Sequence, residues 1–219
     1  MPAQSEGEQF VSHPIFARAY IRASAAMDRS GGRELRQRLL AGLSGTVVEV
    51  GAGNGRNFAH YPAEVTSVLA VEPEPRLRAA AEQAARDAPV PVRVVAGVAD
   101  RLPADDASLD AAVTSLVLCS VPNQATALAE IHRVLRPGGS LRFYEHLLAE
   151  HPGALRRAQR FVDATFWPPL TAGCHCSRDT LAAIAAAGFT IVRPERFRLP
   201  RTGLVMPASP HVIGTAVRT

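Results

Sequence analysis

A glycine-rich segment near residue 50 carries the residues whose types and spacing most clearly indicate chemistry. Glu49 lies two residues before Gly51, and further glycines follow at positions 53 and 55. Glycines at this spacing let the backbone turn sharply and leave room for a ligand beside it. A dinucleotide fingerprint has the spacing G-x-G-x-x-G, but here Arg56 takes the place of the third glycine. The segment therefore predicts a ligand-binding loop that differs from a pyrophosphate site.

Two carboxylates indicate which ligand the loop would bind. Glu49 would repel a pyrophosphate but attract an ammonium group. Glu72 follows an apolar run about twenty residues after the loop, which is the separation at which a carboxylate reaches a ribose diol. A ligand with an amino-acid end and a nucleoside end fits both, and S-adenosylmethionine is such a ligand. The alternatives are a glycine turn that only joins two elements and a Glu72 that caps a helix or is solvated.

The residues after the glycines are predicted to begin a helix, with Asn57 in its first turn. The free N–H groups of a helix N-terminus carry partial positive charge, which suits a carboxylate or a phosphate. Tyr61-Pro62 should end this helix early, because proline cannot continue it.

The elements that must position these residues alternate between apolar strands and amphipathic helices. Predicted strands lie at residues 47–50, 67–72, 92–96, 109–117 and 140–144, and predicted helices at residues 14–27, 34–43, 74–88 and 125–135. This βαβ series predicts an α/β fold with a mostly parallel sheet and right-handed crossovers. Ligands are then expected at the carboxyl ends of the strands.

The regular alternation of strands and helices ends after residue 146. We predict helices at 153–166 and 179–187, with a break at 167–169 and an irregular segment at 170–177. Strands are predicted at 189–192 and 211–217, with a proline-rich loop at 196–209 between them. As a whole, residues 46–219 should form one domain. Residues 1–45 should form a frayed tail (1–12) and two helices, which are either a lid over the site or a packing appendage.

Composition excludes several classes of function. The 219 residues are 47% apolar and 20% charged, which is typical of a globular domain. The net charge of +4 comes from scattered arginines, so no nucleic-acid partner is expected. Because the chain has no lysine, Schiff-base and pyridoxal-phosphate chemistry are excluded. No apolar run of about 18 residues and no basic n-region occur, so neither a membrane anchor nor a signal peptide is expected.

Three cysteines, Cys119, Cys174 and Cys176, predict a reducing, cytoplasmic setting. The sequence Cys174-His175-Cys176 suggests a metal, but this spacing is too short for a usual zinc site and no second ligand pair follows. We therefore predict no metal, and we expect Cys119 to be a small buried residue.

These motifs, in this order and spacing, resemble class I S-adenosylmethionine-dependent methyltransferases. The resemblance rests on residues 49–55, Glu72 and the segment Leu135-Arg136-Pro137-Gly138-Gly139. A narrower resemblance is to the methyltransferase-like type seven group, which includes alkyl-thiol S-methyltransferases and bacterial relatives. Its motifs are residues 115–121, 133–139 and 144–146, Gly173-Cys174 with Arg178, and residues 210–212. Animal members have a membrane-anchoring N-terminus, which is not expected here, and the likeness to quinone C-methyltransferases is looser.

The resemblance implies a Rossmann-like three-layer sandwich whose sheet has seven strands, the last antiparallel. It implies that Glu49 holds the cofactor's ammonium group and that Glu72 binds the ribose hydroxyls. Many relatives have an acid where Val98 stands, so a contact to the adenine amino group would come from the backbone or from Asp100. The other implied cofactor-binding residues are Gly51, Ala52, Gly53, Gly55, Asn57, Pro73, Val98, Ala99, Leu116, Val117 and Tyr20.

The acceptor's chemistry decides whether a base is needed. A thiol has only to become a thiolate, with a free pKa near 8.5, whereas a phenol or alcohol needs a positioned base. His146, just after the fifth strand, is the first candidate, and a structural histidine is the alternative. His175 in the irregular segment is the second candidate, while Tyr20 and His13 could close over the cofactor.

The function expected is methyl transfer to a small molecule, with a thiol sulfur favoured. The alternatives are transfer to oxygen, nitrogen or carbon of a natural-product or quinone-like compound, and a cofactor-binding protein without catalysis. The chain is expected to be a monomer or a homodimer.

Overall fold

The computed structural model describes residues 13–219, so the tail expected at 1–12 lies outside the described residues. The helices are α1 (Pro14–Met27), α2 (Arg33–Leu40), α3 (Pro75–Ala85), α4 (Gln124–Val134), α5 (Ala154–Asp163), α6 (Trp167–Leu170) and α7 (Thr180–Ala186). The strands are β1 (Gly45–Val50), β2 (Val65–Val71), β3 (Val92–Val95), β4 (Leu109–Ser115), β5 (Leu135–His146), β6 (Phe189–Ile191), β7 (Glu195–Arg198) and β8 (Pro210–Arg218).

One mixed sheet forms the centre of the fold, with strand order β3-β2-β1-β4-β5-β8-β6. The first five strands are parallel, and β8 runs antiparallel to β5. This confirms the predicted α/β sheet with an antiparallel last strand. The carboxyl ends of β1, β2, β3 and β4 therefore meet at one edge, where a ligand is expected.

An eighth strand, β7, was missed by the sequence analysis, which predicted a loop over 196–209. β6 and β7 pair with successive parts of β8, at residues 216–218 and 210–213, so together they form one interrupted edge. Phe197 stabilises β7 because its ring stacks on Tyr144 and His211, with centroid distances of 6.1 and 5.7 Å.

Both faces of the sheet are covered, which gives three layers. In β1, Val48 and Val50 belong to the apolar core on one face and Val47 to the core on the other, as the two-residue period of a strand requires. The Val47 face packs beneath α2 through residues such as Leu39 and Leu40. Helix α4 covers the opposite face with Leu128, Ile131 and Val134.

Two local predictions need correction. The short helix expected after the glycine loop ends at Tyr61-Pro62 as predicted, but it is one 3-10 turn, Phe58–His60, rather than an α-helix. No α-helical N-terminus therefore faces the site at Asn57. The predicted break at 167–169 is instead the short helix α6, since prolines are tolerated in a first helical turn.

The two N-terminal helices have different positions: α1 lies at the ligand-bearing edge, whereas α2 packs on the Val47 face of the sheet. α1 and α2 are separated by a kink in which Gly31 has a φ of 101°. Phe16 and Tyr20 of α1 stack on each other with ring centroids 5.6 Å apart, and both face the glycine-loop side of the sheet. Within residues 13–219, every helix lacks either the length or the apolar character needed to cross a membrane.

Candidate active site

A cavity of about 880 Å³ opens at the carboxyl ends of the parallel strands. Its walls come from α1, from the loops after β1 to β4, from the end of β5 and from residues 167–174, and most of this lining is apolar. The size falls within the range of about 300–1,000 Å³ that is usual for small-molecule sites. The cavity can therefore hold a cofactor and a small acceptor side by side.

Most of the predicted site residues line this cavity. They are Tyr20, Gly51, Gly53, Glu72, Pro73, Val98, Ala99, Leu116, Val117 and His146, and the candidate lid residue His13 joins them. The predicted residues that are not part of the lining are Glu49, Ala52, Gly55, Asn57 and His175.

The three glycines of the loop have different tasks. All three have positive φ, at 65°, 58° and 75° for Gly51, Gly53 and Gly55. A Cβ at Gly55 would lie 2.8 Å from the Ala84 side chain, so this glycine serves packing against α3. A Cβ at Gly53 would lie 3.4 Å from the Tyr20 ring, on the cavity side. Gly53 thus keeps the cavity open between the loop and α1.

Glu72 lies in the cavity wall, and its carboxylate is already oriented. Its two oxygens accept hydrogen bonds from the backbone N–H of Gly53 (2.7 Å) and of Glu74 (2.9 Å). Each carboxylate oxygen retains a further lone pair, so both can still accept a ligand hydroxyl. Burial raises the pKa of Glu72 to about 7, although the two N–H groups lower it.

Glu49 lies behind the loop on the α2 face of β1 rather than in the cavity lining. Its carboxylate accepts hydrogen bonds from the Asn57 side-chain amide (2.8 Å) and the Tyr61 hydroxyl (2.7 Å). Arg36 of α2 donates to the Asn57 side-chain oxygen (2.9 Å) and to Asp28 (2.9 Å). Burial raises the pKa of Glu49 to about 7, against the lowering effects of Tyr61, Asn57 and Arg36. Glu49 and Asn57 thus fix the loop to α2.

Glu145 is a residue that sequence reasoning did not single out for a role. Its fully buried carboxylate accepts hydrogen bonds from the backbone N–H groups of Val117 (3.1 Å), Leu118 (3.0 Å) and Cys119 (3.2 Å). The turn begins at Leu116, whose φ is 60°. Burial raises the pKa of Glu145, against these hydrogen bonds. The sequence signals were an acid near the end of an apolar strand and its place in the motif at residues 144–146.

His146 meets two cysteines at the other end of the cavity from Glu72. Its Nδ1 lies 3.3 Å from the Sγ of Cys174, and that sulfur lies 3.6 Å from the Sγ of Cys119. The pKa of Cys174 is lowered, first by the hydrogen bond from the Cys119 thiol and then by His146. The pKa of Cys119 is raised, because its thiol donates to Cys174 and is buried. Cys174 and His146 line the cavity, and Cys119 lies behind them. We call these three residues the thiol–imidazole cluster.

The next two residues, His175 and Cys176, lie beside Asp163 and not in the cavity lining. His175 is about a third exposed, and its Nδ1 lies 3.8 Å from a carboxylate oxygen of Asp163. The same carboxylate accepts from the Cys176 thiol (3.2 Å) and from the Cys176 N–H (3.0 Å). The structure therefore brings His146, not His175, to the cavity.

The chain matches known methyltransferases in sequence and in fold. Residues 48–143 match the methyltransferase domain family. Thiol S-methyltransferase TMT1B of Mus musculus is 35% identical over 214 residues, which cover 94% of this chain and 85% of the relative. Thiol S-methyltransferase TMT1A of Homo sapiens is 35% identical over 185 residues, covering 81% and 73%. A solved structure of geranyl diphosphate methyltransferase in complex with SAM has a TM-score of 0.67 at 18% identity, covering 87% and 85%, which supports the fold.

The cavity fits S-adenosylmethionine, the cofactor of these enzymes. Gly53 leaves the space that a side chain would fill beside the loop, and Glu72 offers two oriented acceptor oxygens at the end of β2. The apolar residues Val98, Ala99 and Leu116 complete the wall between them. With relatives of this identity over most of both lengths, the chain belongs to the family of S-adenosylmethionine-dependent methyltransferases that includes the thiol S-methyltransferases TMT1A and TMT1B.

Proposed function

We propose that this protein transfers the methyl group of S-adenosylmethionine to the sulfur of a small-molecule thiol. The observation that carries the proposal is that a single, largely apolar cavity has Glu72 in one wall and His146 with Cys174 in another. The names of relatives that are 35% identical over most of the chain support sulfur as the acceptor atom. An apolar cavity favours an uncharged, partly apolar thiol.

We assign the cofactor contacts as follows. Glu72 accepts the ribose hydroxyls, and Pro73 lies beside it. Four loop residues, Gly51, Ala52, Gly53 and Gly55, shape the loop along the methionine part. Glu49, held by a hydrogen bond from Asn57, places negative charge behind that loop for the ammonium group. Val98 and Ala99 border the adenine, Leu116 and Val117 border the methionine end, and Tyr20 covers the cofactor from α1.

When bound, the cofactor supplies an electrophilic methyl group on a sulfonium. The task of the protein is to hold the acceptor sulfur about 3 Å from that carbon, in line with the bond that breaks. The apolar walls keep water from competing for the methyl group. His146 assists loss of the acceptor's S–H proton, because a thiol with a pKa near 8.5 is mostly protonated at neutral pH and only its thiolate attacks readily.

Other properties of the chain belong to the same proposal. Within residues 1–45, helices α1 and α2 provide a lid, and residues 46–219 are the catalytic domain. The free cysteines fit a reducing, cytoplasmic location. The enclosed cavity favours a small acceptor over nucleic acid, and the protein acts as a monomer or a homodimer.

The test is turnover with a panel of acceptors. The purified protein is incubated with S-adenosylmethionine and aliphatic thiols, aromatic thiols, phenols or amines. S-adenosylhomocysteine and the mass gain of one methylene group are then measured. We expect product with thiols, and a large loss of rate in His146→Ala but not in His175→Ala. Turnover confined to phenols, amines or carbon acids would contradict the thiol assignment, and cofactor binding without any turnover would indicate a non-catalytic protein.

A further inference from the structure

The thiol–imidazole cluster of Cys119, Cys174 and His146 has the composition of a zinc site. Two thiols and an imidazole nitrogen are ligands that Zn²⁺ prefers. These three ligand atoms all lie within 4.8 Å of one another. The residues come from three separate parts of the chain: the turn after β4, the end of β5 and the segment after α6. The short Cys174-His175-Cys176 motif could not indicate this arrangement.

The distances in the cluster are close to those of a tetrahedral zinc site. Zn–S bonds of about 2.3 Å and Zn–N bonds of about 2.0 Å place two sulfurs about 3.8 Å apart and a sulfur and a nitrogen about 3.5 Å apart. The observed separations are 3.6 Å between the Sγ atoms of Cys119 and Cys174 and 3.3 Å between the Cys174 Sγ and the His146 Nδ1. The third pair, the Cys119 Sγ and the His146 Nδ1, lies within 4.8 Å, so rotation of these side chains would bring all three ligands to zinc distances.

The surroundings of the cluster are those of a catalytic metal site rather than a structural one. Cys119 is fully buried, and Glu145 holds its backbone N–H. Cys174 and His146 form part of the cavity wall. Three protein ligands with a fourth position open to a cavity are typical of catalytic zinc, whereas structural sites have four protein ligands.

A neighbouring donor is also suited to a metal-bound thiolate. The indole of Trp167 lies beside the Cys174 sulfur and lines the same cavity. Its buried N–H is directed at this sulfur but meets hydrogen-bond geometry with no acceptor among residues 13–219. Ligands of metals usually receive such outer-shell hydrogen bonds, which orient them. A thiolate at Cys174 is the acceptor that this N–H otherwise lacks.

We propose that Cys119, Cys174 and His146 hold one zinc ion whose fourth position binds the sulfur of the acceptor thiol. The inference rests on the proposed function and specifies how His146 contributes, namely as a metal ligand. On binding, the acceptor releases its S–H proton to solvent, and its sulfur becomes a zinc-bound thiolate. A lone pair of this sulfur forms the bond to the methyl carbon, while the electron pair of the breaking C–S bond stays with the cofactor's sulfur. The products are a neutral thioether, which is a weak zinc ligand and departs, and S-adenosylhomocysteine.

The zinc content of the intact protein tests the site without turnover. Reduced protein is loaded with Zn²⁺, dialysed and analysed by mass spectrometry of the metal. We expect one zinc per chain in the wild type, and its loss in Cys119→Ser and Cys174→Ser. The matched control is Cys176→Ser, since the Cys176 thiol bonds to Asp163 and a hydroxyl can replace it; this variant should retain its zinc. Absence of zinc from the wild type, or full zinc in Cys119→Ser and Cys174→Ser, would overturn the proposal.

Cobalt substitution gives a second readout, which does not depend on variants that fold poorly. Wild-type protein loaded with Co²⁺ should show thiolate-to-cobalt charge-transfer absorption and the strong visible bands of a tetrahedral site. Adding an acceptor thiol should shift these bands, whereas a phenol should not. A spectrum of octahedral, oxygen-ligated cobalt would overturn the proposal.

The two proposals can fail separately. Zinc on the cluster without methylation of any thiol would contradict the proposed function and leave the metal site standing. Undiminished thiol methylation by the wild-type protein after complete removal of zinc would overturn the zinc proposal and leave the function standing.

Discussion

Glu72 contributes a carboxylate whose protonation should control cofactor affinity. Its pKa is raised to about 7 by burial, and both oxygens face groups that can only donate. Ribose hydroxyls would donate to the ionised form, so binding favours loss of the proton. We therefore expect the affinity for S-adenosylhomocysteine to increase as the pH rises from about 5.5 to 8, by at most about tenfold per pH unit.

The variant Glu72→Gln should remove most of this pH dependence and weaken binding at pH 8. Loss of hydrogen bonds to a charged group costs about 1.5–3 kcal/mol, or roughly 10- to 100-fold in affinity. Calorimetric titration at several pH values measures both effects. Glu82→Gln is a suitable comparison, because Glu82 lies at an exposed position of α3 and is not part of the cavity lining. If Glu72→Gln binds as tightly as the wild type at pH 8, the ribose assignment is wrong.

At the residue scale, the sequence predicts the role of a side chain when its partners lie close to it in the chain. Glu72 and the glycines are recognisable because a loop and the next strand place them at fixed separations. The thiol–imidazole cluster was invisible because Cys119, His146 and Cys174 are far apart in sequence and meet only through strand order and the segment after α6. The position of Glu49 behind the loop likewise depended on which face of β1 packs beneath α2.

The turn after β4 should depend on Glu145 for its shape. Glu145→Ala would leave the buried N–H groups of Val117, Leu118 and Cys119 without their acceptor. Each unsatisfied buried donor costs about 1–3 kcal/mol, so we expect the free energy of unfolding to decrease by about 3 kcal/mol or more. Chemical denaturation measures this change. Glu150→Ala, at an exposed position, serves as the control, and an equal effect of both variants would show that the turn does not need this carboxylate.

Helix α1 should act as a wall of the cofactor site if residues 1–45 include a lid. Tyr20 lines the cavity beside Gly53, while Ile15 of the same helix is 84% exposed. We expect Tyr20→Ala to weaken S-adenosylhomocysteine binding by about tenfold or more, since it removes a large apolar contact. Ile15→Ala should leave it unchanged. Equal affinities for the wild type and Tyr20→Ala would favour the alternative, that α1 is a packing appendage.

At the element scale, apolar periodicity predicts the strands and the long helices. The predictions fail for short elements, whose conformation is set by tertiary contacts. Phe58–His60 is a single 3-10 turn because Tyr61-Pro62 ends it, and the Asn57 side chain before it bonds to Glu49. β7 is not predicted because it is only four residues long and its support is tertiary, namely its pairing with β8 and the stacking of Phe197 on Tyr144 and His211.

At the scale of the whole molecule, the protein buries ionisable groups around its binding cavity. Glu49 and Glu72 have pKa values raised from 4.5 to about 7 by burial. Between about pH 4.5 and 7, the folded protein therefore binds more protons at these groups than the unfolded chain does. Their contribution to the free energy of unfolding is present below pH 4.5 and decreases as the pH rises, by up to about 3 kcal/mol per group.

A double variant isolates this contribution, because the lowered pKa values of His60 and His132 act in the opposite direction. Gln at both positions cannot ionise, so the stability of wild type relative to Glu49→Gln/Glu72→Gln should fall between pH 5 and pH 7.5. Thermal unfolding of the ligand-free proteins measures the difference. Saturating S-adenosylhomocysteine should stabilise the wild type more at pH 7.5 than at pH 5, because binding requires ionised Glu72. A stability difference that is constant with pH would mean that these carboxyl groups ionise as they do in the unfolded chain.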